Sequence, residues 1–487
     1  MRLLPLLTVL LLAFGLMACD TIIDDTIDPI DSVDDEELSS PDEANFLING
    51  IIARSNNVQD NMSVQASLMS DQFIFGGGIG GGATFPTFRD IMRGLPPDTN
   101  PLNNNSVDGT QSHLGQYRFL ADNLLRRVDD LGAEAFGGED DALYQRTQFI
   151  GNFHGALARY YWATFFTDVP GTGASGVGVI SELDVPADPN RGEPLADTEL
   201  YAQAFERLDI AAGFATDYEL RVINSVKARI ALFQDNVAEA AAFAEDGLQP
   251  GDAPFQNSYL DRAGNQANVW HTQGGVGRVQ VSADPRFAFA PGYSEEAFII
   301  SNPTDFEGDP NTFSRIPLFS AADAAEVVDA GVLFNRDATI PIRFDIGFDV
   351  GDAVPLFAQG RYINRDFPIN FITWQEMNLI RAEAAERGDA GGDPVALINE
   401  VRDSHNVDPI TPGNYDGMNT IFVERDKEFF TTGLRLVDQR RATRFGLDSE
   451  GLDLDVHGWH LSNDVWWYLP ITLAERNNNP NLPTELP

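Results

Sequence analysis

Residues 374–386 read Trp-Gln-Glu-Met-Asn-Leu-Ile-Arg-Ala-Glu-Ala-Ala-Glu. Trp374, Met377, Ile380 and Ala384 recur at steps of three and four, the spacing of one face of a helix. That stripe assigns Trp374 to the core. Seven residues on, Asp393 stands before Pro394, a good N-cap followed by the residue favoured at the first helical position. A second helix is therefore predicted through Asn399 to Arg402. A last long helix is predicted from about Thr420 to Arg441.

The same period recurs towards the N-terminus. Tyr117, Leu120, Leu124, Val128 and Leu131 share one face, as do Ile150, Phe153, Leu157, Tyr160 and Thr164 of the next helix, which stops before Val169-Pro170. Tyr201, Phe205, Leu208 and Ala212 form another stripe. Val226, Ile230 and Phe233 form one more, and a short Gln-Asp-Asn turn leads into an Ala-rich helix ending near Gly247. Paired helices recurring along a chain predict a mainly α, tetratricopeptide-like scaffold, although the strict 34-residue signature is absent. Residues 250–365 differ. They are rich in Gly, Pro, Asn and Asp, with short alternating runs at Arg278 to Val281 and Ala297 to Ile300, and read as a loop-rich insertion with few short strands. Residues 76–110 are also irregular.

The chain has 487 residues, 43% of them hydrophobic and 10% aromatic, which excludes global disorder and a disulfide mini-scaffold. Its length allows about three domains or one large one. There are 74 Asp and Glu against 32 Lys and Arg, a formal net charge of −42, and only Lys227 and Lys427 are lysines. Such a field repels phosphate backbones and anionic membrane surfaces, so no nucleic acid partner is expected. Acid-rich, lysine-poor surfaces suit high salt, where charges are screened over a few ångströms.

Arg2 precedes an apolar run from Leu3 to Ala18, too short to span a bilayer comfortably, and small residues lead up to Cys19. Leu16-Met17-Ala18-Cys19 is similar to the bacterial lipobox, in which the cysteine takes a diacylglycerol after cleavage. Residues 1–18 thus read as a lipoprotein signal peptide and Cys19 as the lipidation site. Cys19 is the only cysteine, so no disulfide or cysteine metal site is expected. Asp20 to Glu43 holds eleven acidic residues and no basic one, and like charges extend a chain. Residues 19–43 read as a lipidated acidic tether, and residues 44–487 as the binding body.

The known catalytic patterns are poorly represented. Gly76, Gly78 and Gly81 match G-x-G-x-x-G formally, but no βαβ unit surrounds them, and a flexible loop is the better reading. His457 and His460 do not complete a zinc site. No G-x-S-x-G or H-E-x-x-H occurs. Two carboxylates would suffice for a glycosidase, and with 74 candidates the sequence neither picks nor excludes a pair. Acidic clusters can bind Ca²⁺, but no EF-hand pattern appears, and no metal or other cofactor is predicted.

Aromatic residues in the irregular stretches are the better clue. Sugar rings present C–H faces that stack on aromatic faces, while their hydroxyls hydrogen-bond to amides, carboxylates and guanidinium groups. One cluster holds Asp71, Phe73, Phe75, Phe85, Phe88 and Arg89, with Asn103 to Asn105 after it. A second holds Asn268, Trp270, His271 and Gln273, then Arg286 and Tyr293. A third holds Trp459, Trp466, Trp467 and Tyr468. The candidate ligand-binding residues are Asp71, Phe73, Phe75, Phe85, Phe88, Arg89, Asn103, Trp270 and Tyr293. The competing expectation is that these rings pack in the core beneath the loops.

Several motifs resemble the SusD/RagB family of outer-membrane nutrient-binding lipoproteins. Residues 374–385 are similar to that family's helix of form E-x-x-L-I-R-A-E-A, followed by Leu397-Ile-Asn-Glu-Val-Arg402. Glu424-Arg425, Glu428, Gly433, Leu434-Arg435 and Asp438 to Arg441 resemble E-R-x-x-E-L-x-x-E-G-x-R-x-x-D-x-x-R, with Thr432 where the family usually has Glu. Pro470-Ile471, Glu475 and Asn479-Pro480-Asn481-Leu482 resemble its P-I-P-x-x-E…N-P-N-L ending, with Thr472 in place of the second proline. Asn123-Leu124-Leu125 and Phe166-Thr-Asp-Val-Pro170 also fit. Alternating charges in the Glu424, Arg425, Arg435, Asp438 and Arg441 set predict Arg–carboxylate pairs that lock helices, not catalysis.

The resemblance implies a non-enzymatic surface lipoprotein that captures an oligosaccharide and passes it to a SusC-like TonB-dependent outer-membrane transporter. A peptide ligand, as in RagB-like members, is the nearest variant, and a surface glycoside hydrolase is the alternative from another class. The acidic stretch after Cys19 resembles the surface-export signal of Bacteroidota lipoproteins, whereas Asp20 directly after the cysteine suits periplasmic or inner-membrane retention.

Overall fold

The computed structural model describes residues 40–75, 88, 91, 101–167, 177–179, 194–260, 267–274, 281–284, 286–300, 314–320, 357–455, 458–461, 466–479 and 481–482. Cys19, most of the tether, Gly76 to Gly82, Phe85, Arg89, Arg278 and His457 lie outside the described residues, as does the side chain of Phe75.

The main helices are α1 (Ala44–Met69), α2 (Asn105–Leu131), α3 (Ala142–Phe165), α4 (Asp197–Ala212), α5 (Asp217–Phe233), α6 (Val237–Glu245), α7 (Trp374–Glu386), α8 (Pro394–Ser404), α9 (Gly417–Glu428) and α10 (Leu434–Arg444). The short strands are β1 (Phe73–Phe75), β2 (Phe166–Thr167), β3 (Val177–Val179), β4 (Pro194–Ala196), β5 (Phe255–Asn257), β6 (Val281–Ala283), β7 (Ala297–Ile300), β8 (Ile316–Ser320), β9 (Phe357–Gln359), β10 (Ile369–Ile372) and β11 (Leu469–Pro470). The predicted fold class holds: a mainly α helical-repeat scaffold, with strands supplied chiefly by the irregular region.

Local chemistry sets the helix starts. Asn104 caps α2 and Asp141 caps α3 by accepting backbone N–H bonds from the first turn. Thr216 and Glu219 form a capping box on α5. Asp393 caps α8 with Pro394 behind it, as the sequence implies. Consecutive helices then pair antiparallel. Arg159 of α3 reaches Asp122 of α2 at 3.1 Å, and Asn378 of α7 donates to Glu400 of α8 at 2.7 Å. Helix α3 is buried from Thr147 to its end, because α2 and α4 cover two of its faces. At Gly151 a Cβ would come 2.6 Å from Leu125, so a larger residue would push α2 away.

Two elements depart from the sequence reading. Helix α1 carries no clean apolar stripe and is not predicted, yet it is central. Ser55, Asn57, Gln59, Asp60, Ser63, Gln65 and Ser67 are all buried along it. Their partners come from distant segments: Gln65 donates to Thr110 Oγ1 at 2.7 Å, Gln59 to the Asn370 carbonyl at 3.0 Å, and Ser63 Oγ accepts from Trp270 Nε1 at 2.8 Å. A core helix held by polar contacts has a polar sequence.

The single helix predicted over 420–441 is also corrected: it is α9 and α10, broken between Phe429 and Gly433. Thr431 and Gly433 adopt φ of +73° and +81°, the left-handed region that ends a helix. A Cβ on Gly433 would lie 2.9 Å from Ala66 Cβ and 3.1 Å from the Ser63 carbonyl oxygen, so the break also lets α10 approach α1. Gly433→Ala is expected to cost about 1–2 kcal/mol from the backbone alone. Urea unfolding checks this, the expected outcome being a lower midpoint with an unchanged slope.

In the region 250–365 the strands join one sheet with β1, in the order β1-β6-β9-β8-β7. Strand β1 pairs antiparallel with β6 in the register Phe73 to Ala283, and β7 pairs parallel with β8 from Ala297 and Ile316 onward. A separate antiparallel ribbon joins β5 and β10, with a register shift between Asn370 and Ile372. This ribbon leads through Thr373 directly into α7 and so sets the position of the site described next.

The charged motif behaves as predicted. Arg425 binds both oxygens of Asp438 at 2.9 and 2.8 Å. Arg441 pairs with Asp438 and with Glu383 of α7. Arg435 pairs with Asp71 and lies 2.9 Å from Asp426, with its guanidinium 4.0 Å from the Trp459 ring centroid. All are buried, so these pairs fix how α7, α9 and α10 dock.

Candidate functional site

The ribbon β5–β10, the N-terminus of α7 and the segment 361–368 enclose a crevice of about 310 Å³. His405, just past α8, and Glu428 and Phe429 at the end of α9 also line it. The volume lies at the lower limit of ordinary ligand sites.

Phe371 and Ile372 on β10 are buried and form part of the floor. Thr373 turns the chain, capping α7 by accepting from Glu376 N at 3.3 Å. Trp374 is then the first helical residue, with no preceding turn to cover it. It is half-buried, as is Phe367, and both line the crevice while packing against the core. Amides edge these rings: Gln256 donates to Asn370 Oδ1 at 2.6 Å, and Gln375 donates to Ser404 Oγ at 3.4 Å.

Charged groups line the rest. Arg229 grips both oxygens of Glu376, at 2.7 and 2.5 Å. Arg315 donates through Nε to Glu296 at 2.8 Å and through Nη2 to Glu424 at 2.6 Å. Its Nη1 is buried without a hydrogen-bond acceptor, 3.9 Å from Glu428 Oε2. Glu428 in turn meets His405 Nε2 at 2.9 Å. Burial works against charge on Glu428, but His405 and Arg315 outweigh it and hold the carboxyl below its ordinary range. Behind it, burial likewise opposes charge on Glu424, which Arg315, Lys427 and Arg402 keep well below the carboxylate range. Arg361 donates to the carbonyls of Phe430 and Arg315 at 2.5 and 2.7 Å.

The combination suits an uncharged, hydroxyl-rich ring. An aromatic face accepts its C–H side, and amides take its hydroxyls. Among the described residues no cluster of three or more His, Cys, Asp or Glu side chains could hold a metal ion, and no helix is long and apolar enough to cross a membrane.

The residues singled out from sequence mostly lie elsewhere. Asp71 is buried in ion pairs with Arg435 and Arg286. Phe73 is fully buried between Trp270 and Phe430, at 4.6 and 5.1 Å. Phe88 is buried. Trp270 is fully buried, its indole N–H spent on Ser63. Tyr293 is fully buried, donating to Asp426 Oδ2 at 2.7 Å. All five side chains are thus closed into the core or into ion pairs, which leaves them little surface for a ligand. Asn103 is exposed, in the turn before α2. Phe75, Phe85 and Arg89 are not described at side-chain level.

Trp374 packs against the core, as its stripe predicts, and also lines the crevice; Phe367 does both without having been singled out. Trp374 shares the stripe of Met377, Ile380 and Ala384, which are buried. At the first helical position, however, a stripe residue projects beyond the helix body. The Thr373 N-cap marks that boundary. Phe367 stands alone in an irregular stretch and carries no pattern.

No family model and no curated protein matches this chain. Among solved structures the chain is similar to a SusD-superfamily protein from Bacteroides vulgatus, at 13% identity and TM-score 0.59, covering 91% of this chain and 98% of that one. It is also similar to a laminarin-binding SusD-like protein, at 19% identity and TM-score 0.52, covering 91% and 98%. A surface glycan-binding protein A from Bacteroides thetaiotaomicron matches at 14% identity and TM-score 0.51, covering 90% and 97%. The chain has the SusD-like fold over nine-tenths of its length.

Proposed function

We propose that this chain is a SusD-like nutrient-binding lipoprotein of the outer membrane, moored through acylated Cys19. It captures oligosaccharide at the cell surface and passes it to a SusC-like TonB-dependent transporter. The observation that carries the reading is a crevice lined by two half-buried aromatic residues, Phe367 and Trp374, and by amide side chains, set in a fold shared with proteins described as carbohydrate-binding. The role is binding, with no covalent step. Glu376 is clamped by Arg229, and His405 and Arg315 lower the pKa of Glu428, the direction opposite to that of the acid glycoside hydrolysis needs.

Trp374→Ala is expected to weaken glycan binding on the order of tenfold, about 1.4 kcal/mol, without changing the fold. Isothermal titration with a glycan that binds the wild-type protein reads this directly. Unchanged affinity would move the site elsewhere. Release of new reducing ends from a glycan panel would replace capture with hydrolysis. Cross-linking in outer membranes should recover a TonB-dependent channel, and mass spectrometry of the N-terminal peptide should find Cys19 acylated.

A further inference from the structure

The β5–β10 ribbon sets two amide side chains side by side in the wall of the crevice. Gln256 and Asn370 are direct partners in the antiparallel ladder, and both line the crevice. Gln256 Nε2 donates to Asn370 Oδ1 at 2.6 Å, which ties the two amides together. Beneath them Gln59 donates to the Asn370 carbonyl at 3.0 Å and fixes the strand. Gln256 is exposed and Asn370 half-buried, so a ligand reaches the pair from solvent. Each primary amide carries two N–H donors and one carbonyl acceptor. After the mutual bond, Gln256 still offers Oε1 as an acceptor and Asn370 still offers Nδ2 as a donor.

A secondary amide is the complement of that pair: its N–H and its carbonyl oxygen are held on one rigid plane. Two hydroxyls could make the same two bonds, and the neighbours of the pair decide between them. Pro254 and Pro368 stand two positions before Gln256 and Asn370, and both line the crevice. The period of two in extended chain puts each proline on its amide's side of the ribbon. Neither proline has an N–H to donate, so a hydroxyl turned towards them loses a partner, whereas a methyl is buried there favourably. An acetamido group carries that methyl on the same plane as its amide. A peptide backbone offers the same amide but repeats it at every residue and asks for a ladder of partners. One amide pair beside the half-buried Trp374 suits a single acetamido group on a sugar ring.

We infer that the crevice is a site for an N-acetylated hexosamine, with the acetamido group held by Gln256 and Asn370, its methyl against the flanking prolines and the sugar ring on Trp374. The inference rests on the glycan-capture reading and narrows its ligand class. It makes Gln256 and Asn370 specificity-determining residues: they read the substituent, while Trp374 takes the ring face that all hexoses share.

The test is isothermal titration of the full mature protein with sugars matched in pairs that differ only by the acetamido group: N-acetyllactosamine against lactose, and chitohexaose against cellohexaose. Maltohexaose, laminarihexaose and an end-blocked hexa-alanine peptide complete the set. The expected result is that an acetamido sugar binds at least about tenfold more tightly than its hydroxyl counterpart and than the other hydroxyl-only sugars. Gln256→Met keeps the length of an exposed side chain and removes its amide. That variant, confirmed folded by circular dichroism, should bring the two members of the pair to within about twofold. Trp374→Ala should weaken both members alike. A hydroxyl-only sugar binding as tightly as the best acetamido sugar, in a Trp374-dependent way, overturns the acetamido assignment and leaves glycan capture standing. An acetamido preference that survives Gln256→Met overturns the role of the amide pair. Binding of the peptide alone, lost in Gln256→Met, transfers the pair to a peptide backbone and overturns the inference. Failure of every sugar to bind removes the glycan-capture reading itself, and the inference with it.

Discussion

Arg435→Ala should lower the unfolding free energy by about 3–5 kcal/mol while leaving glycan affinity in the remaining folded protein unchanged. Arg435 is fully buried, and two carboxylates depend on it, those of Asp71 and Asp426. Burial alone would disfavour charge on Asp426, and Arg286 and Arg435 together reverse this and lower its pKa. Without Arg435, Arg286 is the cation left beside both acids among the described ion pairs, at 3.2 Å from Asp71 and 2.8 Å from Asp426. The guanidinium also covers the Trp459 ring, and that contact disappears with it. Urea unfolding measures the loss, and titration at low temperature measures affinity. Native stability combined with selective loss of ligand would sink the structural assignment of this motif.

Asp60→Asn should act in the opposite direction and stabilise the protein at neutral pH. Asp60 sits in the middle of α1, buried, with bonds from Asn61 Nδ2 at 3.1 Å and Val269 N at 3.3 Å. Among the described residues no cation pairs with it. Burial therefore raises its pKa well above the usual carboxylate value, and the hydrogen bonds only partly offset that. Between the unfolded and the folded pKa, the folded state thus holds a proton that the unfolded state, with a pKa of about 4, releases. Its contribution is fully present below the unfolded pKa and is lost as pH rises towards the folded one. At pH 7 the penalty reaches at most about 4 kcal/mol, the cost of keeping that proton on. An asparagine keeps the acceptor oxygen without the proton cost. Melting temperatures at pH 4 and pH 7 give the check: the variant should gain on wild type at pH 7 and lose that advantage at pH 4. An equal change at both values would show that Asp60 is not protonated in the fold.

How far these features were legible in the sequence depends on what each residue touches. Helices α2 to α8 announce themselves because one face is apolar and their caps are local, as with Asn104, Asp141, Thr216 and Asp393. Helix α1 stays hidden because its buried face is polar, satisfied by residues up to 311 positions away. The break at Thr431–Gly433 is hidden for a related reason: Gly433 is needed by its approach to Ala66 on another helix. Aromatic-rich loops signal that rings matter without saying which way they face. Phe73, Trp270 and Tyr293 turn inward, onto Phe430, Ser63 and Asp426.

From residue order alone come the periodicity of the repeating helices, their capping, the acidic composition and the C-terminal arrangement of arginines and carboxylates. All of these depend on neighbours within a few positions or on composition. Which rings stay half-open to solvent, which acid has its pKa raised by burial and which guanidinium nitrogen lacks an acceptor were decided only when distant segments met. Exposure, dielectric environment and hydrogen-bond saturation belong to the packed surroundings of an atom, and Trp374, Asp60 and Arg315 each take their character from residues more than a hundred positions away.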